Sequence, residues 1–165
     1  MAERRVAVTG IGVVAPCGVG TEAFFDGLLA DPPVGERHVH DFDAASYFDN
    51  PKEARRADRY TQFTVAAAAE ALDQAGELTA APTRRGTFIG TGVGGIQTLE
   101  DQITTRIEKG TRRVSPFLGP MMMANAAAAT LSMRYGWQGP CENTVTACAA
   151  GTHAIGNAAR LISSG

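Results

Sequence analysis

The 165-residue chain has almost no charge excess: 15 Lys and Arg stand against 17 Asp and Glu, a formal net charge of −2. Such a balance supplies no general basic field to draw the protein to nucleic acid or anionic lipid, so an anionic partner must be met by a local patch. Cysteine is equally scarce. Cys17, Cys141 and Cys148 are odd in number and show no C-x-x-C spacing, which argues against a disulfide framework and a zinc site and points to a reducing compartment. No uncharged apolar stretch approaches the roughly 18 residues of a membrane span, and Met1–Gly10 has no long apolar segment of the secretory kind. The expectation is a soluble, cytoplasmic protein. With 44% hydrophobic and 19% charged residues, the chain is too apolar for a disordered tail, and its length suggests about one domain.

Several segments carry structural signals. Val6-Ala7-Val8 leads into Thr9-Gly10-Ile11-Gly12-Val13-Val14, a β-branched run with glycines, which predicts a buried strand that other backbone approaches closely. Thr21 reads as the N-cap of a short helix carrying Phe24, Phe25, Leu28 and Leu29 and stopping before Asp31-Pro32-Pro33. Asn50-Pro51-Lys52-Glu53 predicts a helix start, with Asn50 as cap and proline at the first helical position; the pattern continues, with room for a break, to Gly76. A second strand is expected over Arg85–Gly90, followed by the glycine-rich run 90–95. Ile96, Leu99, Ile103 and Ile107 then fall at helical spacing and Gly110 closes that helix. A Met- and Ala-rich helix, a third strand over Asn143–Ala147 and a last helix over Cys148–Ile162 complete the chain. Strands alternating with helices, without repeat or flexible linker, imply an α/β architecture with a largely parallel sheet. The last helix has almost no polar face, which predicts burial on nearly every side.

Two segments match G-x-G-x-x-G/A: Gly10, Gly12 and Ala15, and Gly90, Gly92 and Gly95. Dinucleotide binding needs a helix opening inside the glycine run and an acid about 20 residues further on. Pro16, Gly18 and Gly20 delay the first helix, and no acid lies between Glu108 and Glu142 after the second. Both read as tight turns with close backbone packing. Thr146-Ala147-Cys148-Ala149-Ala150-Gly151 differs. A cysteine at the junction of a β-branched strand and a small-residue helix sits where free N–H groups and the helix dipole favour a thiolate and an oxyanion. Position alone leaves a nucleophile and an inert buried thiol both open. Cys17 and Cys141 lack that setting and read as structural. Of the three histidines, His153 falls five residues beyond Cys148, about 140° around a helix, so it cannot face the thiol and is expected to be a hydrogen-bonded core residue. Nothing local positions His38 or His40 as a base.

Arg5–Gly12, Lys52–Arg59, Gly90–Gly95, Ser115-Pro116-Phe117 and Thr146–Gly151 occur in an order that resembles the N-terminal portion of β-ketoacyl-acyl-carrier-protein synthases, the elongating type II enzymes and the ketosynthases of aromatic polyketide synthesis. The resemblance covers nearly the whole chain. It implies a thiolase-like fold of αβαβα layers, of which residues 1–165 would be an incomplete N-terminal half, and a homodimer or a heterodimer with a ketosynthase-type chain. It implies decarboxylative Claisen condensation without metal or redox cofactor, Cys148 being the acyl-accepting nucleophile and its amide part of the oxyanion hole. Val93 matches a position lining the acyl pocket, although core packing is the competing reading. Leu118 matches another pocket position near the dimer partner. Carrier proteins are acidic, and Lys52, Arg55 and Arg56, at i, i+3 and i+4 of the predicted helix, together with Arg112 and Arg113, match the regions that contact them.

The family's two catalytic histidines, lysine and phenylalanine gate belong to a second half that this sequence does not contain, so the isolated chain is expected to be inactive in condensation. A non-catalytic subunit pairing with a full-length synthase, or a thiolase-type enzyme acting on coenzyme A esters, are the alternatives. Cys148 weighs against the former, and the Lys52–Arg59 and Ser115–Phe117 segments against the latter.

Overall fold

The computed structural model describes residues 4–32, 34, 35 and 37–165. They divide into two compact units: Val8–Arg55 with Gln62–Leu78, and Arg56–Thr61 with Thr79–Gly165 and the described residues up to Ala7.

The first unit contains a two-residue hairpin, β1 (Val14–Ala15) antiparallel to β2 (Gly18–Val19), then α1 (Thr21–Leu29), α2 (Pro51–Ala54), and the larger part of α3 (Arg59–Ala75). The strand predicted over Val6–Val14 is not formed as such. Its glycines lie against α3 instead: a Cβ on Gly10 would overlap the carbonyl of Ala71, and one on Gly12 that of Ala67. Side chains of the same helix take up the backbone donors. The Ile11 N–H donates to Gln74 Oε1 at 3.0 Å and the Val13 N–H to Glu70 Oε2 at 2.9 Å. Close helix contact and side-chain acceptors therefore replace a strand ladder, so the close backbone approach read from the sequence is present without the strand.

Helix α1 begins as expected near Thr21, but Thr21 is not its cap. Gly20, at φ +91°, holds the cap position and has no side chain to offer, and the Thr21 N–H and hydroxyl both donate to Glu70 Oε1, at 2.7 and 2.9 Å. The helix ends at Leu29, ahead of Asp31-Pro32; Pro33 lies outside the described residues. Asn50 does cap α2, its Oδ1 accepting the Lys52 N–H at 2.9 Å, with Pro51 at the first helical position. Phe42 stacks on Tyr47 and meets Phe63 edge-on, at centroid distances of 5.5 and 5.1 Å.

The second unit is built on β3 (Thr87–Thr91), α4 (Ile96–Lys109), α5 (Leu118–Met122), α6 (Ala126–Arg134), β4 (Cys141–Val145) and α7 (Ala150–Ser164). β3 and β4 pair in parallel, Thr87 opposite Cys141 through to Thr91 opposite Val145. Alternate residues of β3 serve opposite faces, as the pleat requires. The Thr87 hydroxyl donates to the Ala128 carbonyl of α6 at 3.3 Å, whereas Gly90 faces α7 so closely that a Cβ would overlap the backbone of Ala150. Helix α6, with Ala127, Ala128 and Leu131 buried, thus covers one face, and α7, with Ala150 and Ala154 buried, covers the other. The result is a helix–sheet–helix stack made with small residues.

Helix α4 forms as expected and ends at Gly110 (φ +82°), with Ile96, Ile103 and Ile107 exposed. One expectation about a helix face needs correction. Helix α7 is not buried all round: Ile155, Leu161 and Ile162 are exposed, because the two-stranded sheet meets the helix along its Ala150–Ala154 side alone. Among the described residues, no helix is long and apolar enough to cross a membrane.

Candidate active site

The parallel register brings two segments to one edge of the sheet. Thr91 and Val145 are the last paired residues, so the chain beyond β3, Gly92-Val93-Gly94-Gly95, and the chain beyond β4, Thr146-Ala147-Cys148, leave the sheet at its carboxyl end. Open α/β sheets place their binding crevices at this end.

Cys148 sits in a single 3-10 turn, Ala147–Ala149, that passes directly into α7. The turn is closed by the Ala149 N–H donating to the Thr146 carbonyl at 3.1 Å. Ala147 has φ +50°, in the left-handed region that costs a residue with a Cβ about 1 kcal/mol or more. That bend turns the chain sharply from strand to helix and leaves Cys148 exposed rather than buried. The Cys148 amide belongs to the first turn, where no carbonyl four residues back is available, and the α7 dipole has its positive end alongside. Ala147, Ala149 and Gly151, all exposed, leave room around the sulfur.

His153 is hydrogen-bonded as expected, its Nδ1 2.8 Å from Thr146 Oγ1, but it is exposed and so no core residue. The bond ties the first turns of α7 back to the residue that follows β4. His38 and His40 lie in the other unit, their rings 6.2 Å apart. Cys17 is half-buried and Cys141 exposed. Among the described residues, no three His, Cys, Asp or Glu side chains gather as a metal site would require.

Val93 is 62% exposed in the glycine-rich turn. Leu118 is half-buried at the first position of α5. Before it stands Phe117, whose ring lies under the Arg56 guanidinium at 4.2 Å. Arg112 and Arg113 are exposed on the 3-10 turn Thr111–Arg113 that follows α4. The single helical face predicted for Lys52, Arg55 and Arg56 does not form. Helix α2 ends at Ala54, Arg55 is its C-cap, and Lys52 and Arg55 belong to one unit while Arg56 belongs to the other.

Two residues that the sequence did not single out organise this unit. Asp58 is buried, its Oδ1 accepting the Tyr60 N–H at 3.1 Å and its Oδ2 the Thr98 N–H at 2.9 Å. Tyr60 donates its hydroxyl to the Met123 carbonyl at 2.6 Å, between α5 and α6. An acid directly before a helix is a signal for the first of these bonds. Nothing local foretells the long-range ones.

A family model described as the β-ketoacyl synthase N-terminal domain matches residues 33–165. The chain belongs to the β-ketoacyl synthase family. Among its curated relatives, 3-oxoacyl-[acyl-carrier-protein] synthase 2 of Synechocystis is 41% identical, the match covering 99% of this chain and 43% of the relative. The protein of the same name from Vibrio harveyi is 38% identical, over 100% of this chain and 44% of the relative. The chain therefore spans less than half the length of the curated relatives it matches. A type II polyketide ketosynthase, solved in complex with its acyl-carrier protein and bound to the hexaketide, superposes with a TM-score of 0.82 at 30% identity, over 96% of this chain and 46% of its own. The ishigamide ketosynthase/chain length factor superposes with a TM-score of 0.76 at 21% identity, over 94% and 48%. The fold is the thiolase-like α/β fold of ketosynthases, of which this chain carries one portion.

Proposed function

We propose that Cys148 is the acyl-accepting nucleophile of a β-ketoacyl-acyl-carrier-protein synthase, an acyltransferase of fatty-acid or polyketide chain elongation. The observation that carries this reading is an exposed thiol on the 3-10 turn that leads into a helix, at the carboxyl edge of a parallel strand pair, in a chain of this family. The thiolate attacks the acyl thioester of a carrier protein, the tetrahedral oxyanion is met by first-turn N–H groups including that of Cys148, and the carrier thiolate leaves. Malonyl-carrier protein then loses carbon dioxide, its enolate attacks the acyl-cysteine carbonyl, and the Cys148 thiolate is expelled. The resemblance assigns assistance of that second half-reaction to residues beyond the span matched here, and no metal or redox cofactor enters either step.

The acidic carrier docks through Lys52, Arg55, Arg56, Arg112 and Arg113, and Val93 and Leu118 line the path of the acyl chain. The same reading places the protein in the cytoplasm and pairs it with a second ketosynthase-type chain. Incubating the full chain with acyl-carrier protein and mapping the acyl mass by peptide mass spectrometry tests the first half-reaction. The expected adduct lies on the peptide containing Cys148 and is lost in Cys148→Ser. Equal labelling in that variant, or an adduct confined to Cys17 or Cys141, would overturn the assignment.

A further inference from the structure

We propose that Asp58 is a positioning residue for acyl-chain selection, setting the glycine-rich turn of Val93 against the helix of Leu118. The selection step rests on the acyl-transfer reading above; the positioning rests on geometry alone.

Helix α4 has no cap of its own. Gly95 precedes it without a side-chain bond, and no acid lies in its first turn. The missing acceptor comes from 40 residues away in sequence: Asp58, 4% exposed, reaches the Thr98 N–H with Oδ2 while Oδ1 accepts from Tyr60. Thr98 is the third residue of α4, where a capping side chain normally bonds. One carboxylate thus serves the first turns of both α3 and α4.

The fit around it is tight. A Cβ on Gly95 would lie 3.0 Å from Asp58 Oδ2 and 2.7 Å from Met122 Cα, so the turn admits no side chain there. The Gly95 N–H donates to the Met122 carbonyl at 3.0 Å, and the Gly94 N–H to Thr91 Oγ1 at 3.2 Å, with Gly94 at φ +98°. Two residues after Asp58, the Tyr60 hydroxyl holds the Met123 carbonyl just past α5. Segment 58–60 therefore grips the start of α4 with one side chain and the end of α5 with another. Val93 and Leu118 stand on the pieces so held. A carboxylate with two fixed backbone donors is a short, rigid spacer, and small displacements of such supports change reaction geometry disproportionately.

The test labels the full chain at Cys148 with a graded series of N-alkyl iodoacetamides, from methyl to dodecyl, and compares Asp58→Asn and Asp58→Ala with the parent. The parent is expected to show a chain-length profile. Asp58→Ala should change its dodecyl-to-methyl rate ratio by about tenfold and Asp58→Asn by about threefold, with the small probe reacting as before. Thr98→Pro, which removes the donated N–H and leaves Asp58 in place, should reproduce the Asn result and serves where the Ala variant does not fold. A graded parent profile left unchanged in all the folded variants overturns the role of Asp58 alone. A parent with no chain-length dependence removes the acyl path itself, and the proposal with it.

Discussion

The two units satisfy their backbone by different means. Around β3 and β4 the polar groups pair strand to strand, and the helices that flank them approach through Ala and Gly. Around residues 10–13 no ladder is formed among the described residues, and the N–H groups of Ile11 and Val13 are taken by Gln74 and Glu70 of α3. A ladder spreads its bonds over many residues and tolerates changes of side chain. An arrangement held by two side chains concentrates the same task where one substitution reaches it. What both regions share is glycine at the points of closest backbone approach.

The largest effects should come from those glycines. Gly12→Val and Gly90→Val each place a side chain into a helix backbone, of Ala67 in one unit and of Ala150 in the other. Each is expected to cost about 3 kcal/mol or more, since backbone on both sides cannot yield as a flexible side chain does. Hydrogen exchange resolved by residue separates them: Gly12→Val should loosen residues 8–30 and α3 beyond Gln62, and Gly90→Val the β3–β4 pair and α7. Uniform loosening by both would show that the units do not open separately.

Glu70 comes next. Burial pushes its carboxyl up, but the N–H donors of Thr21 and Val13 and the Thr21 hydroxyl outweigh that and hold it below its ordinary 4.5. A lowered folded value means that the stabilisation is fully present above the unfolded value and is lost as pH falls through the folded one. The unit containing Val13 and Thr21 should therefore loosen on acidification below about pH 4.5, ahead of any change there in Glu70→Gln. At neutral pH that substitution should cost about 1 kcal/mol, since solvent screens the partly exposed carboxylate. Exchange at Val13 and Thr21 reads both effects.

How much of this was legible differs between the units for the same reason. β3 and β4 were expected at Arg85–Gly90 and Asn143–Ala147 and lie at Thr87–Thr91 and Cys141–Val145, because a β-branched run ending in glycine or at a small-residue helix is a local signal. The cysteine at the strand-to-helix junction was legible on the same grounds. Val6–Val14 carries the identical signal, yet its amides found Glu70 and Gln74, some 60 residues on, and no periodicity encodes that choice. The outward stripes of α4 and α7 show the same limit: apolar spacing reports a helix face but not what meets it. Asp58 and Tyr60 escaped because their partners lie 40 and 63 residues away.

The charges proposed for docking fall on both sides of the comparison, Lys52 and Arg55 in one unit and Arg56, Arg112 and Arg113 in the other. Reversing Arg112 and Arg113 to Glu should slow acylation of Cys148 by carrier-borne thioester about tenfold at low salt and spare its alkylation by iodoacetamide, since long-range attraction governs encounter and not the thiol. Reversing Lys52 and Arg55 should act more weakly if the carrier engages chiefly the second unit. Unchanged carrier kinetics in both double variants would remove docking from these residues.

The smallest effect expected tests the rule that polar groups in these units find partners. Among the described residues one buried side-chain atom has none: Thr61 Oγ1, on a residue 1% exposed. Val65 stands one helical turn along on the same side of α3, is wholly buried, and brings no polar atom with it. A valine at position 61 keeps the shape of threonine and removes the hydroxyl whose desolvation nothing offsets. Thr61→Val is therefore expected to raise stability by about 1 kcal/mol, the reverse of most core changes. Thermal or urea unfolding of the full chain reads it. A loss of about that size would mean that the hydroxyl has a partner in solution, a bound water being the simplest, and that the second unit satisfies its polar groups as completely as the first.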